Sequence, residues 1–453
     1  MASKGIDFYG YVSDSRFSIW LQCRGCDDVA FFAPGFPQTH HFEMEQSSLP
    51  PTEITGCFRM RAMVDGNEAL HRWAEICPAT GGTASGNMGK WIDGQPSFIS
   101  SLLFPGVPGN FQISYGFADV DILPCNHKAY IYITEDQADW MARLNPPEAA
   151  TLNHFVLPGS HDCGAFEPVF FAAENALANT QKDQISTQLL LGARFFDIRP
   201  GYYPNDDYEK GDDGTYILVN GKKVRPLRHI HTITPGVLFK QFLQETVTFL
   251  ELHPGEIVVA YITDSGFYED TVRLPVEGHV ERTINDVLSK STIKRGDIGD
   301  MKCCYSDLVV KNKRLIIIKH HTPDDPDHPV IIASYDEKKY TTEDPKAIVP
   351  ILAGFLIFRK DYDGPKALQL CSTYQATTKG ACIAASAGIL HDSGPLLYAK
   401  PQFDLYNYAW LINVDNTEGF GSHLAVMLND FIDNALADIC GKLTQRRFDR
   451  LPK

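Results

Sequence analysis

The chain has 453 residues, 44% of them hydrophobic and 21% charged, which excludes wholesale disorder and leaves room for two domains with cores of their own. Lys and Arg number 41 against 56 Asp and Glu, a formal net charge of −15. No local basic patch relieves that acidity, so nucleic acid is excluded as a partner and contact with an anionic membrane surface is disfavoured.

The first residues carry no apolar core of the kind a secretory signal needs. The longest nearly apolar run, 347–358, is broken by Pro350 and Gly354 and falls short of the roughly 20 residues a spanning helix requires. Eleven irregularly spaced cysteines suit reduced thiols, and a cytoplasmic location is expected. Cys23 and Cys26 form a lone CxxC with no second pair at zinc-ligand spacing, which reads as a chance pair.

Residues 1–145 contain short alternating and aromatic runs separated by Gly, Pro, Asn and Asp. Phe17-Ser-Ile-Trp-Leu21 and Ala129-Tyr-Ile-Tyr-Ile-Thr134 are examples. This pattern predicts an all-β, sandwich-like domain. Nine basic residues against 17 acidic ones in 1–150 put about half of the net charge there. The Gly-rich stretch 81–94 lacks the first Gly and the final Ser or Thr of a phosphate loop and reads as a loop. Asn145-Pro-Pro147 marks a linker.

From about residue 150 to 453, strands alternate with helical stretches. The strand candidates are 154–157, 193–199, 227–231, 257–263, 314–319, 352–358, 368–372 and 408–415. Amphipathic helices are expected at 237–252, 279–288 and 424–443. Eight such units predict an α/β fold, a (β/α)8 TIM-type barrel preceded by the smaller all-β domain.

Chemistry in such a barrel sits at the C-terminal strand ends. Those ends hold His161 and Asp162, then Asp197 and Arg199, then His229 and His231, and finally Asp415. Each has an ordinary structural explanation alone, and their convergence on one rim is what points to catalysis.

Leu157-Pro-Gly-Ser-His-Asp-Cys-Gly164, Leu191-Gly-Ala-Arg-Phe-Phe-Asp-Ile-Arg-Pro200, His229-Ile-His-Thr-Ile-Thr234 and Phe249-Leu-Glu-Leu-His-Pro-Gly-Glu-Ile-Val-Val259 together resemble the X-region of phosphatidylinositol-specific phospholipase C. The resemblance spans 155–263. It implies cleavage of a phosphodiester by a hydroxyl of the substrate itself, the substrate being a small-molecule or lipid head-group diester. It also implies His161 as general base, His229 as general acid, Arg199 with Asp197 on the phosphoryl oxygens, and Asp162 as partner of His229. A last-strand Asp would orient His161. Asp415 is the choice here, with Asp430 as its competitor, and His231 competes with His229 while otherwise lining the substrate site.

The resemblance further implies no metal or other cofactor, since an arginine at 199 stands where calcium-dependent members carry a carboxylate. Asp324-Asp-Pro-Asp327 reads as a solvated loop rather than a calcium loop. The pattern departs at Ile230, where the family carries Gly, and at Thr263, where metal-free members carry Lys. Lys319 is the substitute expected near the head group. Two other readings stay open: an acid–base enzyme (cyclase, lyase or hydrolase) acting on a soluble metabolite, and a non-catalytic ligand- or partner-binding protein.

Overall fold

A computed structural model describes residues 5–23, 26–30, 32–43, 56–76, 83–86, 98–99, 110–118, 127–166, 179–211, 213–231, 234–263, 273–319, 330–333, 346, 349–350, 367–374, 395–413 and 424–451. The sequence-expected strand at 352–358, the Asp324–Asp327 cluster and Asp415 lie outside them.

The first strands are β1 (Gly5–Val12), β2 (Phe17–Cys23), β3 (Cys26–Ala30), β4 (Gln38–Glu43), β5 (Gly56–Val64), β6 (Asn67–Ile76), β7 (Thr83–Gly86), β8 (Phe98–Ile99), β9 (Phe111–Ala118) and β10 (His127–Glu135). They form two five-stranded sheets, ordered β4-β1-β10-β9-β8 and β3-β2-β5-β6-β7. Alternation decides which face goes where. Phe8, Val12, Ala129, Ile131 and Ile133 point to a core shared with Phe17, Ile19 and Phe58 of the second sheet. The intervening Tyr9, Tyr11, Tyr130 and Tyr132 are buried on the opposite face, in a cluster with residues from beyond 150. Both faces of β1 and β10 are therefore covered.

Helix α1 (Trp140–Arg143) leads into β11 (Val156–Ser160), α2 (Ile185–Leu190), β12 (Phe195–Ile198) and β13 (Pro200–Tyr202). Next come β14 (Leu218–Val219), β15 (Lys222–Lys223), β16 (Leu227–His231), β17 (Thr234–Leu238), α3 (Phe239–Leu252) and β18 (Val258–Ile262). The rest are α4 (His279–Leu288), β19 (Arg295–Gly296), α5 (Tyr305–Val310), β20 (Leu315–Lys319), β21 (Val330–Ala333), β22 (Ala367–Tyr374), α6 (Pro395–Ile412), β23 (Leu424–Asn429) and α7 (Asn434–Phe448). No helix among the described residues is long and apolar enough to cross a membrane.

An eight-stranded, all-parallel sheet runs β19-β20-β18-β12-β11-β23-β22-β21, which makes this region an α/β fold. Among the described residues no strand pairing joins its two edges. Its faces sort by period two. Val156, Phe196, Ile198, Ala260, Ile317 and Met427 pack on the layer holding Phe242 of α3 and Leu436 of α7. Leu157, Phe195, Val259, Tyr261, Ile316, Val426 and Leu428 form the other face with Trp140, Phe155 and Phe448. Each Val, Leu, Ile, Phe or Met side chain among them contributes about 1.5–3 kcal/mol by leaving water.

Two corrections to the sequence expectations bear on function. The segment 227–231 is a strand, but it pairs antiparallel with β13 and β17 in a separate three-stranded sheet, outside the parallel one. The expected final strand at 408–415 is helical through Ile412, and the final strand is instead β23, at the start of the stretch read as a helix. Leu, Ala and Met in 424–428 favour helices intrinsically, yet a slot between β11 and β22 imposes a strand.

The motif residues Arg194 and Glu256 form a fully buried ion pair, Nε to Oε2 at 2.7 Å. The guanidinium also donates to the carbonyls of Leu189, Ala193 and Ala138, and Glu256 accepts from the Ala142 amide. This pair fixes the starts of β12 and β18 against α1, at the end of the sheet away from the polar cluster.

Candidate active site

The face-sorting rule that makes Leu157, Phe195 and Leu428 neighbours also brings together the residues further along their strands. Two positions beyond Gly159 is His161, two beyond Phe195 is Asp197 with Arg199 next on that face, and two beyond Leu428 is Asp430. Ser160 stands level with Phe196 on one side and Asn429 on the other, so these four side chains emerge together at the C-terminal end of the sheet. Gly159 permits the approach, since a Cβ there would sit 2.6 Å from a Val426 methyl.

His161 is buried, with Nδ1 2.6 Å from Asp430 Oδ1. Its Nε2 lies 3.4 Å from Asp162 Oδ2, 3.9 Å from Asp197 Oδ2 and 3.3 Å from Arg199 Nη2. Burial alone would favour the neutral ring, but Asp162 and then Asp430 outweigh it against the opposition of Arg199, raising the pKa to about 9.

Asp162 is the hub. Its Oδ1 is 2.9 Å from Arg199 Nε and 3.5 Å from His229 Nε2, and its Oδ2 is 3.6 Å from His231 Nε2. Burial resists its ionisation, yet Arg199, His161 and His231 hold its carboxyl well below the usual range. Its backbone sits at φ +42°, a left-handed conformation Asp tolerates better than most residues, just where β11 ends. Arg199 completes the cluster, with Nη2 2.8 Å from Asp197 Oδ2.

The two histidines of β16 divide sharply. His229 has no exposed surface; its Nδ1 accepts from the Arg199 amide at 3.2 Å while Nε2 faces Asp162. Burial, partly opposed by Asp162, lowers its pKa and keeps the ring neutral. Gly164 is the reason it fits, since a Cβ there would lie 2.5 Å from His229 Cβ. His231, two residues on, has a side chain 22% exposed.

The remaining expected residues are placed less centrally. Thr263 is buried, and its amide donates to Ile198 O. Lys319 closes β20 and pairs with Glu281 of α4. The carboxylate at His161 Nδ1 is Asp430, and the segment expected to deliver Asp415 as a strand is helical through Ile412. Gln181 escaped the sequence reading altogether: its amide donates to His161 O at 2.8 Å and Asn429 O at 3.2 Å, tying the two strand ends together. No spacing signal marks it, because its partners are backbone carbonyls.

His161, Asp162 and Asp197 could together offer one ligand atom each to a metal ion. Arg199 already places its charge against both carboxylates, so a divalent cation there would have to displace the guanidinium.

No family model matches the chain, and no curated protein matches it. Among solved structures it is similar to a variant of the phosphatidylinositol-specific phospholipase C from Staphylococcus aureus, at 15% identity and a TM-score of 0.44 over 68% of this chain and 96% of that one. It is also similar to the phosphatidylinositol-specific phospholipase C from Listeria monocytogenes, at 13% identity and a TM-score of 0.41 over 68% and 98%.

Proposed function

We propose that the chain is a phospholipase C-like phosphodiesterase, its residues 150–453 forming a (β/α)8 catalytic barrel and 1–145 a β-domain. The single observation supporting this most is the meeting of His161, Asp430, Asp162, Arg199 and His231, from four chain segments, at one end of a parallel sheet. The motif resemblance across 155–263 supports the same reading.

In this reading His161 Nε2 takes the proton of a substrate hydroxyl while Asp430 steadies Nδ1–H. The hydroxyl oxygen bonds to phosphorus, and Arg199 stabilises the charge gathering on the phosphoryl oxygens. The bond from phosphorus to the leaving oxygen breaks, and His231 delivers a proton to that oxygen, oriented by Asp162. The products are a cyclic phosphate and an alcohol. His231 takes the acid role because His229 is sealed from any substrate; His229 holds Arg199 and Asp162 in place. The mechanism calls for no metal, the guanidinium supplying the positive charge.

Phosphorus NMR on vesicles of phosphatidylinositol and, separately, on soluble glycerophosphoinositol tests the reading and distinguishes a lipid from a soluble diester. A cyclic phosphate is expected from at least one, with His161→Ala slowing its appearance by about 10² to 10⁴. Intact substrate in both samples, or unimpaired cleavage by the variant, would overturn it.

A further inference from the structure

We propose that the N-terminal β-domain is a working part of this site, clamping the turn that presents Asp430 to His161. The inference rests on His161 and Asp430 forming a functional pair, and its test reads that pair without substrate.

The turn 429–434 joins β23 to α7 and is completely buried. Three sets of contacts hold it. On the parallel-sheet side, the His161 amide donates to Asn429 O at 3.2 Å, the Ile432 amide donates to Gln181 Oε1 at 3.0 Å, and the Phe431 amide donates to Thr180 O. From the β-domain, the Asn434 amide group reaches Gln112 O of β9 at 2.9 Å, and Tyr132 O and Thr134 Oγ1 of β10 at 3.3 and 2.9 Å. The third set is ionic. Lys400 of α6, without exposed surface, pairs with Asp404 and, at 2.6 Å, with Asp433 Oδ2.

Tyr132 OH donates to Asp404 at 2.9 Å, Tyr408 OH to Asp433 Oδ2 at 2.8 Å, and Asn429 Nδ2 to Tyr408 OH at 3.1 Å. The β10 tyrosines thus touch the network whose other end is the residue preceding Asp430. Phe431 at φ +55° shows that the turn follows a backbone path a free chain would seldom choose. A turn of that kind needs clamps on both sides, and the β-domain supplies one of them.

Asn434 and Tyr132 are accordingly positioning residues. Among the described residues, the charged groups facing the His161 ring are Asp430, Asp162, Asp197 and Arg199, and of these only Asp430 lies on the clamped turn. Loosening the clamp therefore weakens one identifiable contribution to the His161 titration.

The experiment follows His161 by histidine-ring NMR titration in the full-length protein, for wild type, Asp430→Asn, Asn434→Ala, Tyr132→Phe and Ile19→Val. Asp430→Asn should bring the midpoint from about 9 toward the ordinary value near 6.5. Asn434→Ala and Tyr132→Phe should fall between, by more than about 0.5 pH unit. Ile19→Val trims the far core of the β-domain, so it should lower melting temperature while leaving the midpoint in place. Unchanged midpoints in both clamp variants, or an equal shift in Ile19→Val, would overturn the proposal, as would an unchanged Asp430→Asn. Tyr132→Phe removes a single hydroxyl and carries the test if Asn434→Ala fails to fold.

Discussion

The raised pKa of His161 makes the charge of this ring, and with it the stability of the fold, depend on pH between about 7 and 9. A base must be deprotonated before it can act, and with a pKa of about 9 roughly one molecule in a hundred carries the free base at pH 7. The free-base fraction of His161 should therefore rise about tenfold per pH unit from 7 and level off above 9, which histidine-ring NMR reads directly. Stability runs the other way. The gap from 6.5 to about 9 corresponds to about 3 kcal/mol favouring the imidazolium in the folded protein. A raised folded-state pKa contributes in full below the unfolded value of 6.5, and the contribution is lost as pH rises through about 9. Resistance to urea should accordingly fall over the pH range in which His161 loses its proton, and His161→Ala should flatten that part of the stability curve. A His161 midpoint near 6.5 would refute the placement of the three carboxylates around this ring.

The other expectations concern single residues. His231→Ala should lower kcat by about 10² to 10⁴ with little change in unfolding free energy, whereas His229→Ala should cost about 2–4 kcal/mol in urea titrations by leaving the Arg199 amide and Asp162 beside a void. The opposite pattern in these two variants would return the acid role to His229. Gly164→Ala should destabilise by about 1–3 kcal/mol, because its methyl meets the His229 side chain, and melting curves would detect this directly. Chelation with EDTA should leave turnover unchanged, and a loss restored by calcium would overturn the role given to Arg199.

Local pattern carried the parts of the fold in which side-chain period and strand identity agree. The runs before His161 and Arg199 are apolar, end in charge, and lie in the central parallel sheet as expected. The carboxylate for His161 was misplaced because two segments near the C-terminus contradict their own propensities: the aromatic run after Tyr408 continues a helix, and Leu-Ala-Val-Met-Leu before Asn429 fills a strand slot. Asp430, the competitor in the sequence reading, could have been preferred by asking which Asp follows a continuous apolar run, because Val426 and Leu428 share its face. The split between His229 and His231 lay beyond sequence reasoning. Both sit on the same face of β16, and only the close approach of Gly164 seals one and leaves the other reachable.

The pairing of β11 with β23 has a consequence for biosynthesis. The first strand of the parallel sheet finds one of its neighbours at residues 424–429, near the end of the sequence. A nascent chain leaving the ribosome can pair the strands of the two N-terminal sheets once β10 has emerged, but β11 must wait for some 260 further residues before its second edge is covered. His161 waits with it for Asp430. The contact between His161 and Asp430 can form only after residue 430 has been made, and a chain cut short before β23 leaves one edge of β11 unpaired.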